Sequence, residues 1–577
     1  MAVIQGTNLD EILRGTAFSD KILGREGNDQ LQGRRGDDQL QGNQGNDLLE
    51  GGQGNDQLQG GTGRDTLDGG NGRDNLQGDN DNDLLLGSRG SDSLDGGNGF
   101  DTADYGNLGN LITLRAVGVV DKGSAGTDQI LNIERIIGAI GQDNVIDGAV
   151  PGGGPVAFNV NLAAQSLTTV GIPGLGNVTF TVENFVDVIG TSNTDTITGS
   201  SADNEFGGSA GNDTIDGGSG NDIVNYSDLG QAITLERAGT ISKGSAGTDQ
   251  IFNIETIIGA AGEANAIDGS TGTSGTTSFE VNLANEQLVV NGVPGLGSIE
   301  FEVVNFVNVT GTSNDDDITG NSEDNLFGSS VGDDSYDGSS GNDTVDYSDL
   351  GRSITLERGG VINKGSAGTD QILSVETVIG APGQDNKIDG STGISGQTSF
   401  DIDLSQETLT VKNLPGLGNL TLNVVNFVDA TGTTRNDSIL GNTEDNEVRG
   451  GNGNDTLTGG EGDDRLLGEA GRDVLNGVDP TSATPGAGEQ DVLVGAGAAD
   501  TYVLGNGANI FYSFSGNADV ALIQGFQTNL DKIQLTGSLT DYFFNAQNTA
   551  IFATTNNDLV ASFVGGAFNP AVDFTFV

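Results

Sequence analysis

The chain contains no cysteine, no histidine and no tryptophan, and a single methionine among 577 residues. Without cysteine there are no disulfides, no thiolate nucleophiles and no thiolate metal sites. Without histidine the common Ser–His and Cys–His catalytic pairs and histidine zinc sites are also excluded. Basic residues are scarce: 23 against 82 acidic ones, a formal charge of −59. Duplex nucleic acid and anionic membrane surfaces are poor partners for such a chain, whereas a divalent cation is a good one. No apolar run reaches the roughly 18 residues of a membrane-spanning helix, so no transmembrane segment is expected. Met1–Asp10 has neither the basic nor the apolar region of a cleaved signal peptide. Proline is rare, at nine, while glycine reaches 97 without a collagen triplet. Glycine richness with high charge predicts disorder until a ligand is bound.

What is present is a period. Asp20, Asp29, Asp38, Asp47, Asp56, Asp65, Asp74, Asp83, Asp92 and Asp101 stand nine residues apart. Two residues after each comes an apolar residue: Ile22, Leu31, Leu40, Leu49, Leu58, Leu67, Leu76, Leu85, Leu94 and Ala103. Glycines fill fixed positions between them, giving G-G-x-G-x-D-x-U-x with U apolar, as in Gly60–Asp68. Six residues with glycines predict a turn needing positive φ, and the three x-U-x residues a short strand with U inward. Two units then make one flattened coil, with Asp29, Asp47, Asp65, Asp83 and Asp101 on one edge and Asp20, Asp38, Asp56, Asp74 and Asp92 on the other.

A longer period follows. Gly-Ser-Ala-Gly-Thr-Asp-Gln-Ile begins at Gly123, Gly244 and Gly365, and Pro-Gly-Leu-Gly at Pro173, Pro294 and Pro415, always 121 residues apart. The predicted organisation is an N-terminal array over 1–105, three copies over 106–226, 227–347 and 348–468, and a last segment over 469–577 with a loop and a C-terminal cap. Each copy ends in a short nonapeptide run. These runs add Asp195, Asp213 and Asp222, then Asp316, Asp334 and Asp343, then Asp437, Asp455 and Asp464. One slot in each run holds Asn204, Asn325 or Asn446, a weaker or unfilled metal position. Asp128, Asp249 and Asp370 keep the phase inside the longer inserts, and Asp473, Asp491 and Asp500 extend it at the end. β-Branched stretches such as Val178–Val182 read as strands. The inserts are expected to be wider coils of one solenoid, with a separate β-sandwich as the alternative.

Stacked at the strand spacing of about 4.8 Å, adjacent carboxylates repel by roughly 1 kcal/mol in water and about 3–4 kcal/mol near a protein surface. One apolar side chain per nine residues offers little against the ordering of nine backbones. Calcium reverses the sign, because it takes six to eight hard oxygens at about 2.3–2.6 Å, and its binding is then folding free energy. All 25 aspartates named above are the expected ligands of multiple Ca²⁺ ions.

The in-phase nonapeptides, Gly24–Tyr105 above all, resemble the RTX family of secreted bacterial calcium-binding proteins. Asp491–Gly505, Ala518–Phe526 and Asp531–Leu535 are similar to the C-terminal block of such proteins, and the whole is loosely similar to oscillin-like surface proteins of gliding bacteria. The resemblance implies a parallel β-roll with calcium between its turns. It also implies export through a type I transporter by an uncleaved C-terminal signal, for which Val572–Val577 is the candidate. The chain departs from the pattern at Arg25, Arg34, Asn43 and Ser88, where the second glycine is replaced, and at Asp81, which replaces the fourth-position glycine. Asp79–Asp83 imitates an EF-hand start but has Leu84 where glycine is required. Arg34, Arg64 and Arg73 read as surface charge trimming, with local replacement of a metal as the alternative.

The expected fold is therefore all-β, a parallel solenoid with wider coils inserted and a C-terminal β cap. The expected function is a secreted, calcium-dependent structural protein of the cell surface or matrix, able to form a layer or filament with itself. The alternative is an adhesin for cell-surface polysaccharide; a polysaccharide-modifying enzyme ranks below both. Tyr105, Tyr226 and Tyr347 recur once per copy, as a structural position would.

Overall fold

Glycine alternating with a lone apolar residue leaves each strand with two inward points, one filled and one bare. In the computed structural model, which describes residues 1–115, 118–149, 156–271, 275–392 and 396–577, this pattern produces parallel ladders. Two units are distinguished: Met1–Ile267 with Glu300–Phe306, and Asp268–Ile299 with Val307–Val577.

In the first unit one sheet stacks Lys21–Glu26, Gln39–Gln44, Gln57–Thr62, Asn75–Asn80 and Ser93–Asn98, aligning Ile22, Leu40, Leu58, Leu76 and Leu94. The facing sheet aligns Leu13, Leu31, Leu49, Leu67, Leu85 and Ala103. Register partners are 18 residues apart, so two nonapeptides make one coil. From Ile22 to Ala103 every in-phase apolar residue is buried, forming a narrow core between the sheets.

The strands are longer than the pattern predicted. In the array most span six residues, as in Lys21–Glu26, and Gly24 is the second buried point of that strand. The first glycine of the nonapeptide is thus a strand residue facing inward rather than a turn residue, and the turn shrinks to three positions. Three-residue strands are confined mainly to the copies, as in Thr196–Thr198 and Thr214–Asp216. The second position is left-handed even without glycine: φ is +94° at Arg25, +80° at Arg34, +81° at Asn43 and +76° at Asp79. Such a conformation costs a non-glycine residue roughly 1–2 kcal/mol, so the register imposes it against local preference.

The copies widen the coil without interrupting the ladder. Leu94 pairs with Ile130, Ala103 with Ile136, Ile136 with Val182, and Ile146 with Val188. The extra residues leave as antiparallel excursions: Thr113–Arg115 against Val119–Asp121, and Ala157–Asn161 against Ser166–Ile172 against Gly176–Glu183. These are wider coils of the solenoid and not an inserted sandwich.

In the second unit the third copy repeats the arrangement, with Tyr336 on Ile372, Val345 on Val378 and Val378 on Val424. Short coils then resume. Val448, Leu466, Leu493, Ile523 and Phe563 form one ladder, and Ile439, Leu457, Leu475, Tyr502, Ile533 and Phe574 the other. At the C-terminal cap aromatic rings pack together: Phe563 and Phe568 lie 5.0 Å apart, Phe568 and Phe574 5.2 Å.

Candidate metal centres

Each predicted aspartate closes a turn and sits at the rim of the narrow core. Its backbone N–H donates to Oδ1 of the aspartate one coil on: Asp29 to Asp47 at 2.7 Å, Asp47 to Asp65 at 2.8 Å, Asp38 to Asp56 at 2.7 Å, Asp56 to Asp74 at 2.8 Å. The ladder passes through the wide coils, from Asp92 to Asp128, Asp213 to Asp249 and Asp334 to Asp370. It continues from Asp464 to Asp491 and from Asp473 to Asp500. Asp195, Asp316 and Asp437 accept instead from Phe158, Phe279 and Phe400. Oδ1 of every predicted aspartate is thereby engaged, and all of these residues are buried.

The second oxygen divides them into two groups. Oδ2 of Asp29, Asp38, Asp47, Asp56, Asp65, Asp74, Asp83 and Asp101 is buried with no hydrogen-bond partner, as is that of Asp128, Asp222, Asp343, Asp455, Asp464, Asp473 and Asp500. A buried, unpartnered carboxylate oxygen is expensive, the more so with like charges stacked beside it. Burial, opposed by the backbone N–H bond and reinforced by neighbouring aspartates, pushes Asp56, Asp65 and Asp83 up to about 7. The same causes raise Asp455 to about 7 and Asp464 to about 8. Burial against the N–H bond alone raises Asp473 to about 6.

Beside each of these orphaned oxygens, that of Asp128 excepted, is a space kept open by the inward glycine. A Cβ on Gly33 would lie 2.5 Å from Asp38 Oδ2 and 2.6 Å from the Gly51 carbonyl oxygen; on Gly51, 2.5 Å from Asp56 Oδ2 and 2.7 Å from the Gly69 oxygen. The atoms bounding these cradles include a carboxylate oxygen and a backbone carbonyl, the hard donors calcium takes. Among the described residues no three acidic side chains converge on one point. A cation here would therefore draw on backbone carbonyls together with the carboxylate, which the glycines permit. The donor set fits calcium and is foreign to soft metals.

In the second group the protein satisfies Oδ2 itself. Thr16 serves Asp20, and Thr191, Thr312 and Thr433 serve Asp195, Asp316 and Asp437 through both N–H and hydroxyl. Asn204, Asn325 and Asn446 donate to the carbonyls of Val186, Val307 and Val428, closing those slots with an amide. Tyr226, Tyr347 and Tyr512 donate to Oδ2 of Asp249, Asp370 and Asp491. These tyrosines are fully buried; Tyr105, their equivalent in the first copy, is equally buried but its hydroxyl has no hydrogen-bond partner.

Three sets of ladder residues were not anticipated, besides Asp531, which accepts from the Asp500 N–H at 3.0 Å. Glu11 donates its N–H to Asp29, while Glu134, Glu255 and Glu376 accept from Asp101, Asp222 and Asp343 at 2.8 Å. Asn144, Asn265 and Asn386 accept from Ile112, Ile233 and Ile354. Their signal was available: each stands two residues before an apolar residue, a D-x-U with Glu or Asn substituted. The third set is Lys122, Lys243 and Lys364, fully buried and paired with ladder aspartates. The arginines considered from sequence take no such role; among the described residues Arg34, Arg64 and Arg73 form no ion pair.

Comparison with known proteins agrees with this geometry. The family model described as the RTX calcium-binding nonapeptide repeat, in units of four copies, matches residues 5–40, 33–67, 41–76 and 68–103. It matches again at 189–224, 310–345, 431–466 and 440–475. No curated protein matches the chain. Among solved structures, the extracellular lipase LipA from Serratia marcescens is similar at 14% identity and a TM-score of 0.16, over 55% of this chain and 45% of the lipase. The chain thus spans under half of that lipase, and a likeness this slight carries no argument.

Proposed function

The chain carries RTX calcium-binding nonapeptide repeats in its N-terminal array and at the end of each 121-residue copy, and from that premise we propose that it is a secreted structural protein that condenses into its β-solenoid on meeting extracellular calcium. The observation that carries the proposal is the row of buried, unpartnered Oδ2 atoms facing glycine cradles. Asp29, Asp38, Asp47, Asp56, Asp65, Asp74, Asp83 and Asp101 would hold the ions of the array; Asp222, Asp343, Asp455, Asp464, Asp473 and Asp500 would hold the others. Calcium supplies there a double positive charge shared between a carboxylate and carbonyl oxygens. The chain's own part is to hold Oδ1 on a backbone N–H, leave Oδ2 free, and keep the cradle clear of side chains.

Extracellular calcium modules bind at about 10⁻⁴–10⁻³ M, which suits a chain that crosses a type I transporter unfolded and folds outside. The role is one of scaffold rather than catalyst. Assembly into a layer or filament is the favoured form of that scaffold. A second reading, adhesion to surface polysaccharide, is favoured by Leu175, Leu296 and Leu417, which are 75%, 71% and 79% exposed at equivalent hairpin tips. Light scattering of the purified chain during a calcium titration separates the two. Growth in particle size is expected; a monomer that stays fixed in calcium yet is retained on immobilised surface polysaccharide supports the adhesin instead.

A further inference from the structure

At one point in every copy a lysine stands where the array leaves a cradle. Lys122 Nζ donates to the Ser88 carbonyl at 2.5 Å and pairs with Asp92 Oδ2 at 3.2 Å and Asp128 Oδ1 at 2.5 Å. Lys243 does the same with Ser209, Asp213 and Asp249, and Lys364 with Ser330, Asp334 and Asp370. All three lysines are fully buried. Their surroundings are one backbone carbonyl and two ladder carboxylates from successive coils. That is the oxygen set a cation would find at the calcium rungs.

The consequence is visible in the orphaned oxygens. Along the array edge Asp38, Asp56 and Asp74 each leave Oδ2 unpartnered, whereas Asp92, next in line, does not. Asp213 and Asp334, the equivalents in the other copies, are likewise satisfied. In the second and third copies the same rung is completed by the Tyr226 and Tyr347 hydroxyls on Asp249 and Asp370, whereas in the first Lys122 pairs with Asp128 Oδ1 and Asp128 Oδ2 keeps no hydrogen-bond partner. Each copy spends its wide-coil excursion, Val119–Asp121 in the first, on delivering this ammonium.

We propose that Lys122, Lys243 and Lys364 are built-in cations that replace calcium at one rung per copy, so that these rungs fold without metal and serve as the starting points from which calcium-dependent coils condense. The proposal rests on the calcium reading of the other rungs. Solenoid folding propagates between neighbouring coils, and the Lys122 rung directly adjoins the last coil of the array through the pairing of Ser93–Asn98 with Thr127–Leu131.

Hydrogen exchange of the full chain, followed by mass spectrometry with and without chelator, tests this. In chelator, Thr127–Leu131, Thr248–Phe252 and Thr369–Leu373 are expected to exchange at least about tenfold more slowly than Gln39–Gln44 and Gln57–Thr62. Calcium should bring the array strands to the same protection. Equally fast exchange of both sets in chelator overturns the proposal. In Lys243→Met, protection of Thr248–Phe252 should become calcium-dependent, and native mass spectrometry should count one more bound ion. Protection that survives in chelator, or that is lost in both conditions, overturns it equally. A parent chain that binds no calcium and keeps its array protected in chelator refutes the calcium reading instead, while the Lys243→Met comparison still decides the role of the lysine.

Discussion

Gly42→Ala raises the calcium midpoint for folding of the array by about tenfold or more. The added Cβ would lie 2.2 Å from Asp47 Oδ2 and 2.8 Å from the Gly60 carbonyl oxygen, and the Asp47 carboxylate is held by the Asp29 N–H on its Oδ1. Neither neighbour is the free end of a flexible side chain, so the coil must open or the carboxylate must turn away. Overpacking alone costs about 1–3 kcal/mol, and here it falls on the oxygens that a cation needs. A shift of 1.4 kcal/mol is about tenfold in an equilibrium constant. Gln39→Ala, on the outer face of the same strand, is the control and should move the midpoint by less than about 0.5 kcal/mol. Far-ultraviolet circular dichroism during a calcium titration gives both values.

The second large effect is a reversal of the pH dependence by calcium. Without metal, Asp47 and Asp74 are raised to about 6 and Asp56, Asp65, Asp83 and Asp500 to about 7, above the ordinary value of 3.8. Burial is the first cause in each. A group raised by folding favours the fold most below its unfolded pKa, and that contribution is lost as pH rises through the folded value. In chelator, β structure should therefore be greater at pH 5 than at pH 8, declining most steeply between pH 6 and 8. Asp20, lowered by the Thr16 N–H and hydroxyl, runs the other way but is a single group. In calcium the ligands must be ionised, so protons compete with the metal and the calcium midpoint should climb as pH falls from 8 to 5. Parallel titrations at fixed ionic strength check both slopes; the same sign in chelator and in calcium contradicts the account.

The coil was legible because its determinants are local and strictly phased: Asp47 and Leu49 recur at Asp65 and Leu67, and side-chain direction along a strand does the rest. The wide coils were legible through Asp128 and Ile130, which keep the phase across an insert of another composition. Strand length was not, because glycine was taken for a turn former when Gly24 and Gly42 act as strand residues whose missing side chain leaves room at the rim. Glu134 and Asn144 were overlooked because they occupy the aspartate position without its charge geometry. Asp531 apart, the ladder aspartates were legible, but which of them keep a free oxygen was not. That depends on Thr191, Tyr226 and Lys243, and Lys243 lies 30 residues from Asp213. Only the antiparallel excursion brings it there, and no local pattern announces it.

Long-wavelength anomalous diffraction from crystals grown in calcium locates the ions directly. Density beside the Oδ2 atoms of Asp29, Asp38, Asp47, Asp56, Asp65, Asp74 and Asp83, with none at the Lys122, Lys243 and Lys364 amines, is the result expected. A calcium-saturated array whose cradles are blank, its carboxylates turned to solvent, would contradict the claim that metal holds these coils together.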